Sequence, residues 1–224
     1  NDPKTDEDIY KNYDVRSLKD KQVNKLELMK EMGLEPDENR MLIGMVTRFV
    51  SHKGLDLVQY IFDDLMRDNV SMVILGSGDK AYEDFFSEMQ YRYPGKVAVK
   101  IGFIPSLSKK IYAGADVFLM PSKSEPCGLA QMVAARYGTL PIVRETGGLK
   151  DSIHDMGEEN GKGNGFTFKT YNAHDMLGAI QRAEGLYGNK PLWKKAMVSA
   201  MESDFSWDKS AGEYVDMYKR IMKD

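Results

Sequence analysis

The run Val117-Phe118-Leu119-Met120, stopped by Pro121, most constrains what this chain can fold into. Four consecutive apolar residues leave no polar face. Such a strand must be covered on both sides, as in the interior of a parallel sheet. Glu125 follows on a loop, and the pattern from Leu129 to Tyr137, closed by Gly138, predicts a helix. Further strands are read at residues 41–48, a nearly continuous apolar run, and at 70–75, 97–101 and 140–143, with a short one at 166–168. Helical patterns fall between them, over 55–67, from 79 to about 91, over 106–113, from 147, and over 172–186 behind an Asn172 cap. Ser17 reads as the cap of an earlier helix with Leu18, Val23, Leu26, Met29 and Met32 on one face. Residues 191–222 read as two helices broken near Asp204-Phe205-Ser206-Trp207, with Trp207 as a packing anchor. The alternation predicts an α/β fold: a Rossmann-like parallel sheet of about six strands, wrapped on both faces by right-handed crossovers.

With 224 residues, 42% of them apolar, there is material for one large domain or two small ones. Residues 1–15 are expected to form an interdomain linker and 16–224 a single domain. The opening stretch is polar and lacks an initiator Met, which suggests a piece of a longer chain. A net charge of −3 gives no reason to expect nucleic acid or an anionic membrane as partner. The single cysteine, Cys127, allows no internal disulfide and suits a reducing compartment. No apolar run approaches the roughly 20 residues of a membrane span, and no signal or transit segment is visible.

Open α/β sheets bind ligands where strands end and helices begin. Glu125 occupies such a place, and helix-start amides beside it favour an anion. Arg48 ends a buried strand and Lys53 lies in the following loop before Gly54. Two cations there can hold a diphosphate and stabilise charge on a leaving phosphate, Arg as a fork and Lys as a point charge. The same pattern also suits solvated surface charges. Gly76-Ser77-Gly78-Asp79 is a short glycine loop after a strand. It lacks the third glycine of a dinucleotide fingerprint, which excludes an NAD site. Phe103 stands at a strand mouth, where its ring could stack on a base or serve the core. Gly147 and Gly148 open a helix, where backbone can approach an anion. The Asp-x-Asp of the chain, Asp6-Glu7-Asp8, lies in the opening stretch and not where it could hold a metal against a diphosphate, so no metal is expected.

Glu125-Pro126-Cys127-Gly128-Leu129, then Tyr137-Gly138-Thr139-Leu140-Pro141-Ile142-Val143, then Thr146-Gly147-Gly148-Leu149 resemble bacterial glycogen synthase and plant starch synthase. These are retaining glucosyltransferases of two-domain GT-B architecture. The resemblance covers nearly the whole chain but only the C-terminal half of that architecture. It implies transfer of glucose from ADP-glucose, the substrate, to the non-reducing end of an α-1,4-glucan, with no separate cofactor. The partners implied are ADP-glucose or ADP, the glucan acceptor, and an N-terminal domain of the same polypeptide. The location implied is bacterial cytoplasm or plastid stroma. By the same resemblance, Arg48 and Lys53 bind the diphosphate and Glu125 orients the glucosyl ring. Gly76 and Gly78 line the nucleotide pocket and Phe103 faces the adenine. Cys127, Gly128, Leu129, Gly147 and Gly148 offer amides. Two positions depart from common patterns. Ala130 stands where relatives often have Thr, and Val133 replaces the second glutamate of many UDP- and GDP-sugar transferases, which favours the synthase branch. The fragment alone is expected to bind donor weakly and catalyse little. The alternatives are a sibling transferase using a UDP- or GDP-sugar, and a non-catalytic nucleotide- or glucan-binding module.

Overall fold

The computed structural model describes residues 1–157 and 163–222. The glycine-rich stretch Gly161 to Gly165, which the sequence predicts to be a loop before the run at 166–168, lies partly outside the described residues.

The strands are β1 (Met41–Phe49), β2 (Val70–Gly78), β3 (Val97–Ile101), β4 (Val117–Met120), β5 (Leu140–Arg144) and β6 (Phe166–Phe168). The helices are α1 (Lys21–Glu31), α2 (Leu55–Leu65), α3 (Lys80–Arg92), α4 (Pro105–Gly114), α5 (Ala130–Arg136), α6 (Gly147–Ser152), α7 (Ala173–Tyr187), α8 (Lys190–Met201) and α9 (Trp207–Ile221). All neighbouring strands are parallel, in the order β3-β2-β1-β4-β5-β6. The order reverses between β1 and β4, and a doubly wound sheet opens its ligand crevice at that switch point.

The continuous apolar runs behave as their composition requires. Ile43, Met45, Leu119 and Ile142 join one core layer with α2, α7 and α8, while Leu42, Val73 and Phe118 join a second with α1 and α4. Both faces of the sheet are thus covered. Asn172 caps α7 through its side-chain oxygen, which accepts from the His174 and Asp175 amides. Residues 1–15 hold no helix or strand but lie fastened to the domain. Tyr13 is buried and donates through its hydroxyl to the Tyr137 carbonyl at 2.7 Å, and Lys109 pairs with Asp6 and Asp8.

Three expectations need correction. Ser17 does not cap a helix with its side chain, because its Oγ already accepts from the Asp14 amide; a short 3-10 turn, Leu18–Asp20, precedes α1. Val23 of α1 faces solvent while Lys21, Asn24 and Lys25 are buried. Trp207 anchors nothing and is 87% exposed, since α9 buries none of its described side chains.

Candidate active site

β1 and β4 deliver their C-terminal ends side by side, and two loops there are pressed together. Gly54 has φ +74°, and a Cβ on it would meet the Pro121 carbonyl oxygen at 2.0 Å, so only glycine allows the approach. The Lys123 amide donates to the His52 carbonyl at 2.9 Å across the same gap. The consequence is electrostatic. Lys53 Nζ reaches Glu125 Oε2 at 2.6 Å, with both side chains largely buried. Ser122, itself buried, donates through Oγ to the same carboxylate oxygen at 3.1 Å.

A cavity of about 180 Å³ lies against this pair, walled by Met45–Arg48, Met120 and Ala130, with Gly128 and Leu129 at its edge. A second cavity of about 490 Å³ opens beside it under Gly76, Ser77, Gly102, Phe103 and Ile104. Val46, Thr47 and Arg48 border both. The Arg48 guanidinium is exposed and meets no carboxylate among the described residues. Phe103 is 89% exposed at the rim of the larger cavity, so its ring is not spent on the core.

The expected site residues do not all converge. Arg48, Lys53, Glu125, Gly128, Leu129, Gly76 and Phe103 line one cavity or the other. Gly78 lines neither; a Cβ there would strike the Phe49 carbonyl oxygen at 2.3 Å, so it serves the close packing of β2 on β1. Gly147 and Gly148 lie beneath the Glu125 loop. The Gly148 amide is already bonded to the Glu125 carbonyl at 3.1 Å, and a Cβ on Gly148 would meet the Cys127 carbonyl oxygen at 2.0 Å. Gly148 thus holds the loop rather than presenting a free donor. The amides of Cys127, Gly128 and Leu129, by contrast, meet no acceptor among the described residues. Cys127 is exposed and Val133 packs toward the cluster around Tyr13 and Tyr137.

One participant escapes a reading of the sequence. Arg144, the last residue of β5, donates from Nε to the Ser122 carbonyl at 3.0 Å and from Nη2 to the Lys123 carbonyl at 2.5 Å. It clamps the segment that positions Glu125. Its only signal in the sequence is a cation at a strand end, the same signal that marks Arg48. Among the described residues, no three or more His, Cys, Asp or Glu side chains gather to hold a metal ion.

Residues 30–190, which include both cavities, match the family described as glycosyl transferases group 1. The chain belongs to that family. It is 51% identical over 221 residues to a glycogen synthase of Bacillus cereus, covering 99% of this chain and 46% of that protein. A glycogen synthase of Clostridium beijerinckii is 50% identical over 219 residues, covering 98% of this chain and 46% of its own. The catalytic domain of starch synthase IV from Arabidopsis thaliana, solved with ADP and acarbose, superposes with a TM-score of 0.89 at 34% identity over 98% of this chain and 46% of that one. This group 1 transferase chain therefore has the GT-B type of fold and spans about half the length of the curated relatives it matches. No helix among its described residues is long and apolar enough to cross a membrane.

Proposed function

We propose that this chain is the donor-binding half of a glycogen or starch synthase. The full enzyme would transfer glucose from ADP-glucose to the non-reducing end of an α-1,4-glucan, with retained configuration. The observation that carries this reading is the Lys53–Glu125 pair, set at the switch point beside Arg48, which borders both cavities. A nucleotide diphosphate fits this layout in one orientation. Its base enters the larger cavity under Phe103, where ring stacking is worth about 1–3 kcal/mol. Its phosphates pass Arg48, whose guanidinium offers a fork of donors. Its sugar reaches the smaller cavity at Glu125.

Lys53 is held by the Glu125 carboxylate. A diphosphate oxygen competes for that ammonium, and charge growing on the leaving phosphate strengthens the competition, so Lys53 contributes most where catalysis needs it. Glu125 is left facing the glucosyl ring, where its carboxylate orients the sugar and stabilises positive charge at the anomeric carbon. Ser122 and Arg144 act as positioning residues through the loop that carries it. The amides of Cys127, Gly128 and Leu129 complete the phosphate contacts.

The ADP in the starch synthase IV structure supports an adenine nucleotide over uridine or guanosine. The 46% share of the relatives' length supports a further domain that carries the acceptor. Transfer then requires that domain to close over the donor. Calorimetric titration of this chain with ADP, UDP and GDP, repeated on Lys53→Ala, tests the assignment. Preference for ADP that the variant loses supports it, and preference for UDP or GDP discards it.

A further inference from the structure

A third cavity, of about 440 Å³, lies at the opposite end of the sheet, between α1 and α8. Asp116, which precedes β4, stands in its wall, whereas Ser122 and Glu125 follow β4; the cavity and the candidate donor site occupy opposite ends of one strand. The chain as a whole has more acidic than basic residues, 34 against 31. This cavity reverses the balance, with five lysines in its walls against two carboxylates, Glu38 and Asp116.

Two of the lysines are part of the frame. Lys25 bridges to Asp116 at 2.8 Å and donates to the Tyr187 hydroxyl at 2.7 Å; Lys21 donates to the Ala113 carbonyl at 2.8 Å and to Thr139 Oγ1 at 2.7 Å. Asp116 is also spent, since the same oxygen accepts the Leu42 amide. The remaining three, Lys19, Lys190 and Lys194, are exposed at the rim and pair with no carboxylate among the described residues. Lys190 lies 3.3 Å from the centre of the Tyr187 ring. Burial pushes its ammonium, like that of Lys21, below the ordinary lysine range. Gln22 Nε2 is buried in this wall without an acceptor. Cations that border one concave space without a carboxylate partner among the described residues, beside a donor that lacks an acceptor, favour an anion there. Leu18, Trp193 and Met197 give the same space an apolar side.

We propose that this cavity binds the phosphoryl group of a small organic phosphate, with Lys19, Lys190 and Lys194 on the phosphoryl oxygens and the organic part against the Leu18–Trp193–Met197 side. The volume suits a ligand of the size of a phosphorylated monosaccharide. Ammonium groups act as point charges that a phosphate dianion satisfies without a fixed geometry. The site is independent of the donor reading above.

Trp193 supplies a local probe, because the chain has only two tryptophans and the other, Trp207, lies exposed on α9. The indole N–H signals of the isotope-labelled chain would be followed by NMR during titration with a hexose phosphate and with inorganic phosphate, at fixed ionic strength. Trp207→Phe assigns the two signals. The expected result is a saturable shift of the Trp193 signal, with the hexose phosphate binding about tenfold tighter than inorganic phosphate. Lys190→Glu with Lys194→Glu should weaken both at least about tenfold, while Lys53→Ala changes neither. The thermal midpoint checks that the double variant folds, and Lys194→Gln, expected to weaken binding about threefold, stands in if it does not. A Trp193 signal that stays still, one that moves equally with chloride, one that survives loss of the lysines, or equal affinity for the two phosphates would each overturn the proposal.

Discussion

Lys53 and Glu125, 72 residues apart in the chain, meet at 2.6 Å across the gap between β1 and β4. The contact joins the two residues that the diphosphate and the sugar would need separately. Their substitutions should therefore part. Lys53→Ala removes the cation and leaves a largely buried carboxylate without its partner, so ADP affinity should fall about tenfold or more. Glu125→Gln keeps the shape of the site and frees Lys53, so ADP should bind within about threefold of the parent. In a full-length enzyme the same Gln substitution should lower glucosyl transfer by about two orders of magnitude. Calorimetry on this chain and a transfer assay on the full-length protein read the two effects. An equal loss of ADP affinity in both variants would contradict the division of roles.

Gly54 brings that pair together. Any side chain there faces both a φ of +74° and the Pro121 carbonyl oxygen at 2.0 Å. Gly54→Ala should cost about 1–3 kcal/mol of stability. It should also weaken ADP binding, because the Lys53 loop is driven from the Glu125 loop. Denaturant midpoints and the same titration check it; Gly33, also at positive φ but with nothing within 4 Å, is the control for strain without a clash.

Phe103 offers the opposite case, a large apolar residue that contributes little to folding. At 89% exposure its removal empties no core. Phe103→Ala should leave the thermal midpoint within the small range of surface substitutions, about 0.5 kcal/mol. It should nevertheless weaken ADP by about 1–3 kcal/mol, and Phe103→Tyr should restore the affinity. A large loss of stability would move the ring from the ligand to the core.

The central strands were legible because burial on both faces leaves a nearly continuous apolar run, as in β4; the edge strands β3 and β6, which carry Lys100 and Thr167, still match their expected bounds. α1 was not legible in the same way. Counting apolar residues placed Val23 inward, yet Lys21, Asn24 and Lys25 turn in because carbonyls, Thr139 and Asp116 from distant segments satisfy them. Those partners lie about ninety positions or more away for Lys21, beyond any local pattern. The site divides similarly. Arg48, Lys53 and Glu125 stand at strand ends, a position that sequence can reveal. Arg144 stands at one too, but what it binds is a pair of main-chain carbonyls, which no side-chain motif records.

Lys21 also gives stability a pH dependence. Burial lowers its ammonium to about 7 from 10.5, against the attraction of Asp116 and with the help of Lys25. Between those values the unfolded chain holds a proton that the folded chain has released. Stability should therefore rise with pH through this window, by up to about 1.4 kcal/mol per unit from this group. Tyr13 and Tyr137, pushed upward by burial, stay protonated between pH 7 and 9 and do not oppose the trend there. Urea midpoints at the two pH values should show the rise in the parent and a clearly smaller one in Lys21→Met, the remainder coming from Lys96 and Lys190, which burial also lowers. Parallel profiles for both proteins would assign the dependence to other groups.

The last helix carries an apolar stripe that no described residue covers. Tyr214, Tyr218 and Ile221 are 62%, 57% and 62% exposed, and Trp207 is 87% exposed. In this chain the stripe supplies no core, so its loss should not weaken the domain. Tyr218→Ser with Ile221→Ser should leave the thermal midpoint unchanged within about 0.5 kcal/mol. The same pair should reduce self-association, since exposed apolar patches of this kind drive contacts between molecules. Light scattering over a concentration series reads the second effect. In a full-length protein, where we propose that a further domain covers the stripe, the two substitutions should instead lower the midpoint, as burying each such side chain contributes about 1.5–3 kcal/mol. A midpoint that falls equally in the short and the full-length proteins would show that α9 packs on its own domain instead.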